Sequence, residues 1–405
     1  MLLTRKIKIK ADRKLSAYLE EASERCRLLY NFSLAEKKAH YEKTGKHLGR
    51  YVHVKTLPAV KVQFPEYQRI YGWCLQEVHA RLDKAYRAAF ARCKRKESKF
   101  GFPRFKRKGE FFSQVYPAQA IRQQVNEREF ILPTGRTHEC NLDVRLHGDI
   151  PDGFRQVSIV KEGKHYYACF VYEKKEKKQR AAKKSLYCDL GVKTLVTAVD
   201  DAGNVVTVPK FSHHAKHLDE LQSKRDRCKK GSRQHRKFTA AFQRQYGKYV
   251  RRATDYLHKA SRWMVNRKED RIVVGKLDLK NMLKPRQAWF NRILCNEWRV
   301  GKFVAFLQYK AMIEGKTFEE RDERNTTREC CKCGATKEMS LADRTYECPQ
   351  CGLAIGRDVN SAFNMKNRYG KNNRGATAQL GRFATDEELA KASKSIAAAN
   401  LFARR

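Results

Sequence analysis

Four cysteines carry the most specific local signal in the sequence. Cys330-x-x-Cys333 and Cys348-Pro-Gln-Cys351 are separated by fourteen residues, and a glycine, Gly334 or Gly352, follows each pair. Two such knuckles at this distance fit a tetrahedral four-thiolate zinc site of the structural kind, which leaves no open position for hydrolysis. The plain alternative, a set of buried free thiols, leaves both knuckle glycines unexplained. Cys331 lies inside the first knuckle and reads as a non-ligand. Cys26, Cys93 and Cys169 are scattered and read as core residues.

Carboxylates are the second signal. Asp189 ends the apolar run in Tyr187-Cys188-Asp189-Leu190-Gly191-Val192, where a charge is unwelcome unless it is paired or binds a metal. Asp358 follows the second knuckle in Arg357-Asp358-Val359-Asn360-Ser361-Ala362, at the start of a helical pattern. Singly, the first reads as a turn former and the second as a helix cap. Together, in a very basic chain, they suggest a two-metal phosphodiesterase site. Such a site draws three or four acids from separated segments around two divalent cations about 4 Å apart.

The surroundings favour a polyanionic partner. Lys and Arg number 87 against 44 acidic residues, a formal charge of +43, spread along all 405 residues. That self-repulsion calls for nucleic acid over most of the chain. An anionic membrane is the weaker candidate, because no apolar run reaches transmembrane length and no lipidation motif occurs. The start, MLLTRKIKIKADRK, alternates charge and hydrophobe and does not read as a signal peptide. Thirteen cysteines without such a signal imply a reducing compartment, hence metal before disulfides.

The elements that must position these residues fall into a mixed α/β, multidomain arrangement. Residues 1–10 read as a first strand that rejoins a later β-barrel. Residues 11–109 read as a helical domain, with Leu15, Leu19, Ala22, Cys26 and Leu29 at helical spacing, a second helix over about 66–95, and a shorter, mixed stretch around Tyr51 to Pro65. Its end, Phe100 to Lys108, is basic and aromatic. Residues 110–182 read as the barrel, with a hairpin at Val157–Val160 and Tyr166–Tyr172. From 183 to 327, apolar strands at Ser185–Leu190, Lys193–Val199, Val205–Val208, Arg271–Gly275 and Thr317–Arg321 alternate with helices around a central sheet. The zinc ribbon occupies 328–353, a further helical segment 354–370, and a polar tail 371–405.

Arg27-Leu28-Leu29-Tyr30-Asn31, Leu82-Asp83-Lys84-Ala85-Tyr86 and Phe102-Pro103-Arg104-Phe105-Lys106 resemble sequence of the TnpB family of transposon-encoded nucleases, relatives of the type V CRISPR effectors. The likeness covers nearly the whole chain. Asp189-Leu190-Gly191-Val192 resembles the first motif of the family's RuvC nuclease, Asn325-Thr326-Thr327 the approach to its zinc ribbon, and Arg357-Asp358-x-Asn360-x-Ala362 its third motif. The second motif departs from the pattern. The family usually closes an apolar strand with Glu, whereas this chain reads Ile272-Val273-Val274-Gly275-Lys276-Leu277, and glycine holds no metal. Gly356 also stands where an Asp is common.

Two implications compete. In a rearranged site, an acid on the neighbouring strand reaches the same metals, as in TnpB-like proteins that pair this Gly with a Glu just before the Thr-Thr. Here that residue is Glu323, with Glu319, Glu320 and Asp278 as less favoured acids. Neighbouring strands lie about 4.8 Å apart, so a carboxylate can move one strand over and reach the same point. In a nuclease-dead descendant, the chain would keep RNA-guided binding and act as a repressor. The survival of Asp189, Asp358 and all four cysteines favours the first. A guide-free binder or a strand-transfer transposase is a third class, and the ribbon between the second and third motifs argues against it.

The resemblance therefore implies an RNase H-like RuvC core with an inserted zinc ribbon, a wedge β-barrel and a helical recognition domain. It implies Asp189, Glu323 and Asp358 on two Mg²⁺ ions, and Cys330, Cys333, Cys348 and Cys351 on structural Zn²⁺. Tyr51, Lys55, Arg104, Lys106, Arg107, Ser113 and Gln114 are its nucleic-acid candidates. The partners would be a guide RNA from the transposon end, a double-stranded DNA target and a transposase of the same element. The setting would be the cytoplasm of a bacterial or archaeal cell.

Overall fold

The computed structural model describes residues 1–95, 101–121, 124–135, 141–211, 216–278, 282–283, 291, 294, 298–340 and 343–370. Phe100 and the tail 371–405 lie outside them. The chain divides into two units, Met1–Lys174 and Lys175–Arg405.

The first unit joins three helices to one sheet. Its elements are β1 (Leu2–Lys10), α1 (Arg13–Thr44), α2 (Arg50–Gln63), α3 (Gly72–Lys94), β2 (Gln114–Pro117), β3 (Gln124–Asn126), β4 (Glu129–Leu132), β5 (Leu142–Leu146), β6 (Phe154–Glu162) and β7 (His165–Glu173). The sheet order is β2-β6-β7-β1-β5-β4-β3, a half-barrel. Strand β1 pairs with β7 over Leu2–Lys8 and then with β5 at Ile9 and Lys10, so it stitches both halves together. Helix α1 starts where the Asp12 carboxylate accepts the Leu15 N–H at 2.7 Å, and ends at Gly45, whose φ of 67° is left-handed. Leu15, Leu19, Ala22, Cys26 and Leu29 are all buried, the stripe expected from their spacing. The mixed stretch after Tyr51 is in fact helix α2. Only His53 and Leu57 on it are buried and Pro58 lies inside it, so its periodicity is thin and packing on α3 sustains it.

The second unit contains β8 (Ser185–Asp189), β9 (Thr194–Asp200), β10 (Val205–Pro209), α4 (Lys216–Asp226), α5 (Arg233–Val265), β11 (Arg271–Gly275), α6 (Val300–Ile313), β12 (Thr317–Arg321), β13 (Thr345–Glu347), β14 (Ala354–Gly356) and α7 (Arg357–Tyr369). Its five-stranded sheet has the order β10-β9-β8-β11-β12. Strands β8 to β10 run antiparallel, and β11 runs parallel to β8 and β12, which is the RNase H-like plan. Both faces of β8 and β11 are covered. Leu186, Cys188, Ile272 and Val274 pack with Leu257 of α5 and with Phe303 and Leu307 of α6. On the opposite face, Tyr187 and Val273 pack with Met365 of α7. Burial on both faces explains why these strands read as continuous apolar runs. Emptying the position of Phe303, which is fully buried, would cost about 3–5 kcal/mol.

No helix among the described residues is long and apolar enough to cross a membrane.

Candidate active site and zinc centre

The parallel strands bring their carboxyl ends together. Val274 pairs with Cys188, so the residues that follow, Gly275 and Asp189, reach the same sheet edge. Gly275 in turn pairs with Arg321, and Glu323 stands two residues beyond. A Cβ built on Gly275 would lie 1.7 Å from Glu323 Oε2 and 2.8 Å from its Cδ. The Glu323 carboxylate therefore fills the space that a side chain at 275 would occupy. Open α/β sheets place ligands at this edge.

Asp358 and Glu323 each lie close enough to Asp189 for charge to act between them. Asp189 is 7% exposed and accepts a 2.6 Å hydrogen bond from Ser361 Oγ. Asp358 lies in the first turn of α7 beside Arg357, 3.4 Å from its guanidinium. A Cβ on Gly191 would meet Thr194 O at 2.7 Å and Asp358 Oδ2 at 3.5 Å, so a glycine in the first motif keeps this approach open.

The electrostatics are those of buried acids held close together. Burial, joined by the Asp358 charge and opposed by the Ser361 hydrogen bond, pushes Asp189 up to about 7. Burial first, then the charges of Asp189 and Asp322, push Glu323 up to about 8. Glu323 Oε2 is buried with no hydrogen-bond partner. An all-oxygen donor set with an orphaned carboxylate oxygen suits a hard divalent ion such as Mg²⁺. The remaining acids are committed or outward. Glu319 makes two 2.9 Å bonds to Arg271 and a third to Arg321, and Arg271 first holds its carboxyl down at about 2. Glu320 and Asp278 are exposed.

Sequence reading missed the residues that support this edge. The irregular segment from Asp322 to Cys331 presents its backbone carbonyls to the side chains of α7. Tyr369 Oη donates to Asp322 O at 2.8 Å, and Arg368 to Arg324 O at 2.6 Å. Asn364 donates to Thr326 O and Glu329 O at 2.8 and 2.6 Å, Asn360 to Glu329 O at 2.7 Å, and Asn367 to Cys331 O at 2.8 Å. Backbone that is neither helix nor strand needs such partners when buried. The available signal was asparagine at 360, 364 and 367, one helical face, where propensity disfavours it.

The four cysteines converge. Their sulfurs lie within 4.8 Å of one another, the one set of three or more ligating side chains this tight among the described residues. Gly334 N–H bonds Cys330 O at 2.9 Å and Gly352 N–H bonds Cys348 O at 3.1 Å, with φ of 80° and 66°, the left-handed turns the knuckles require. Backbone N–H groups, that of Cys351 foremost, draw the Cys348 thiol down to about 6. Burial raises Cys330, and against the Ala335 N–H, burial and the neighbouring sulfurs push Cys333 up to about 12; zinc would take all four as thiolates. Cys331 stays outside this set and is buried against Val199, Tyr346 and Phe363.

Three family models match the chain: "Helix-turn-helix domain" over residues 1–46, "Probable transposase" over 169–286, and "Cas12f1-like, TNB domain" over 301–365. A TnpB-like protein of Methanocaldococcus jannaschii is 26% identical over 44% of this chain and 66% of its own length, so the chain spans just under two thirds of that relative. The chain belongs to the TnpB family. A further relative is Escherichia coli "Putative RNA-guided DNA endonuclease InsQ", 25% identical over 84% of this chain and 85% of its own. Among solved structures, the protein of "Cryo-EM structure of the Cas12f1-sgRNA-target DNA complex" matches with a TM-score of 0.54 at 13% identity, covering 88% of this chain and 83% of that one, a likeness of fold.

The nucleic-acid candidates from the TnpB resemblance separate into two groups. Asn31 clamps the basic segment, its side chain bonding Lys106 N and O at 2.8 and 2.9 Å, and Arg27 adds a 3.1 Å bond to Lys106 O. The Lys38 ammonium sits over the rings of Phe102 and Phe105. With the backbone so held, Arg104, Lys106 and Arg107 are exposed, the Lys106 ammonium 5.8 Å from the centre of the Tyr30 ring, and Tyr51 and Lys55 are exposed on α2. Tyr51 is 65% exposed beneath the Arg50 guanidinium, 4.7 Å from its ring. Ser113 is half-buried and accepts from Arg81 at 2.9 Å. Gln114 requires a correction. It is 1% exposed and its amide N–H groups donate to Leu19 O and Phe112 O, so it ties β2 to α1, its Oε1 buried without a partner. A polar residue beside an apolar strand looks the same in sequence whether it faces in or out.

Proposed function

We propose that this TnpB family member cleaves double-stranded DNA complementary to a bound guide RNA, next to a short adjacent motif. The carboxylates of Asp189, Glu323 and Asp358 would do this as a divalent-metal phosphodiesterase. The observation that carries the reading is the Glu323 carboxylate lying over Gly275, in the volume a second-motif side chain would fill. A descendant released from cleavage has no reason to keep that complementarity. The relatives support the partners: that of Escherichia coli is named "Putative RNA-guided DNA endonuclease InsQ", and the Cas12f1 structure is a complex with guide RNA and target DNA. Base pairing would supply sequence specificity, and the exposed Arg and Lys would bind phosphates. Two magnesium ions, when bound, would stabilise the charge that develops on the phosphate and leaving oxygen. Asp189 is oriented for that role by Ser361, and Glu323 offers an oxygen with no other partner. The ribbon's thiolates would hold zinc for folding alone.

The test compares magnesium-dependent cleavage of a matched duplex by the guide-loaded wild type, Glu323→Ala and Gly275→Ala. Each variant should bind target normally and cleave at least about a thousandfold more slowly. The double exchange Gly275→Glu with Glu323→Gly should recover part of the loss. Wild-type cleavage by Glu323→Ala would assign the position to another acid. A wild type that binds without cutting would make the chain an RNA-guided repressor.

A further inference from the structure

Two buried hydroxyls lie beside the Asp189 carboxylate and the Glu323 backbone. Ser361 and Thr326 are 0% and 1% exposed, and their oxygens are 2.8 Å apart. Ser361 Oγ donates its proton to Asp189 Oδ1 at 2.6 Å, so the proton between the two hydroxyls is that of Thr326, shared with Glu323 O 2.7 Å away. A continuous bridge thus runs from the first-motif acid, through α7 and the turn before the zinc ribbon, to the backbone of the relocated glutamate. Ser361 is the one hydrogen-bond donor that Asp189 has among the described residues. The turn is set by Asn325, whose φ of 63° is left-handed, and the Thr326 N–H closes it on Glu323 O at 3.2 Å. The Asn364 amide holds Thr326 O from the other side.

We propose that Ser361 and Thr326 are positioning residues that hold the Asp189 carboxylate and the Glu323 backbone at a fixed separation for metal binding. The proposal rests on the carboxylate reading above. Buried hydroxyls need partners wherever they sit. A purely structural serine, however, would bond a main-chain carbonyl one turn back, the usual habit of Ser within a helix. Here Ser361 spends its bond on a ligand-bearing acid of another strand, the arrangement by which outer groups orient metal ligands.

The experiment uses Mn²⁺ as the probe in two readouts. One is Mn²⁺ binding by the full chain freed of nucleic acid, followed by electron paramagnetic resonance. The other is the Mn²⁺ concentration giving half-maximal cleavage by the guide-loaded complex. Ser361→Ala and Thr326→Val should each raise the Mn²⁺ requirement by about 10–100-fold in both readouts. Thr326→Ser, which keeps the hydroxyl, should stay close to wild type. Combining Ser361→Ala with Thr326→Val should add little beyond either alone, because both break one bridge. Zinc content and melting temperature report folding. Wild-type Mn²⁺ dependence of Ser361→Ala and Thr326→Val, with Asp189→Ala silent in both readouts, would overturn the bridge and leave the carboxylate site standing. If Asp189→Ala itself binds Mn²⁺ and cleaves as wild type does, the carboxylate site falls and the bridge with it.

Discussion

Asp189 and Glu323 sit where ionisation works against folding. Their ordinary values are 3.8 and 4.5, and the fold raises them to about 7 and 8, burial being the first cause for both. A carboxyl raised in this way contributes stability fully present below its unfolded value and lost as pH climbs through its folded one. Without divalent cations the melting temperature should therefore fall between about pH 4 and 8, by several degrees at ~2–4 °C per kcal/mol. Added Mg²⁺ should raise it more at pH 8 than at pH 5, since cations bind the charged forms. Glu323→Gln should flatten both trends, and a calorimetric series across pH would show it. Unchanged slopes in Glu323→Gln would mean that the residue does not share the site's charge.

At the scale of elements, α7 is the piece that joins chemistry to zinc. Its Ser361 touches Asp189, its asparagines hold Thr326, Glu329 and Cys331, and the Cys331 N–H returns a 3.0 Å bond to Asn360. Loss of the metal should reach the acids through this helix. Cys333→Ser should release about one zinc per chain, speed amide exchange along α7 and abolish cleavage, although no carboxylate is altered. Asn364→Ala should keep zinc but lose about 1–3 kcal/mol, from carbonyls left without that donor. Metal analysis together with hydrogen exchange separates the two. Slow exchange in α7 after zinc release would show that the helix stands without the ribbon.

Across the whole molecule, charge dominates. Helix α5 exposes Arg233, Arg236, Lys237, Arg244, Lys248, Arg251 and Arg252, and the one acid on it is Asp255. A surface meeting six to ten phosphates loses about 10³–10⁵ in affinity between 50 and 200 mM salt. Guide RNA binding should show that steepness, and Arg244→Glu with Lys248→Glu should lower the logarithmic salt slope by about 2, as read by filter binding. A slope unchanged by both reversals would place the RNA elsewhere.

What the sequence determined by itself was whatever depends on short spacing. Knuckle spacing named the four zinc ligands, because two Cys-x-x-Cys turns close locally before any fold exists. Period and alternation placed α1, β1 and the strands of the nuclease sheet, because burial on one face or on both writes itself into neighbouring residues. The tertiary structure decided what depends on register between distant segments. The resemblance offered Glu323 as the replacement for the acid missing at Gly275, beside Glu319, Glu320 and Asp278 and a dead nuclease, and only the alignment of β11 with β12 sets Glu323 over that glycine. Gln114 turned inward for a reason no local pattern carries. Ser361 and Thr326 are thirty-five residues apart, and nothing but the packing of α7 against that turn makes them neighbours. Side-chain type and short-range spacing are local properties of a chain, whereas a shared point in space is fixed by packing among segments far apart in sequence.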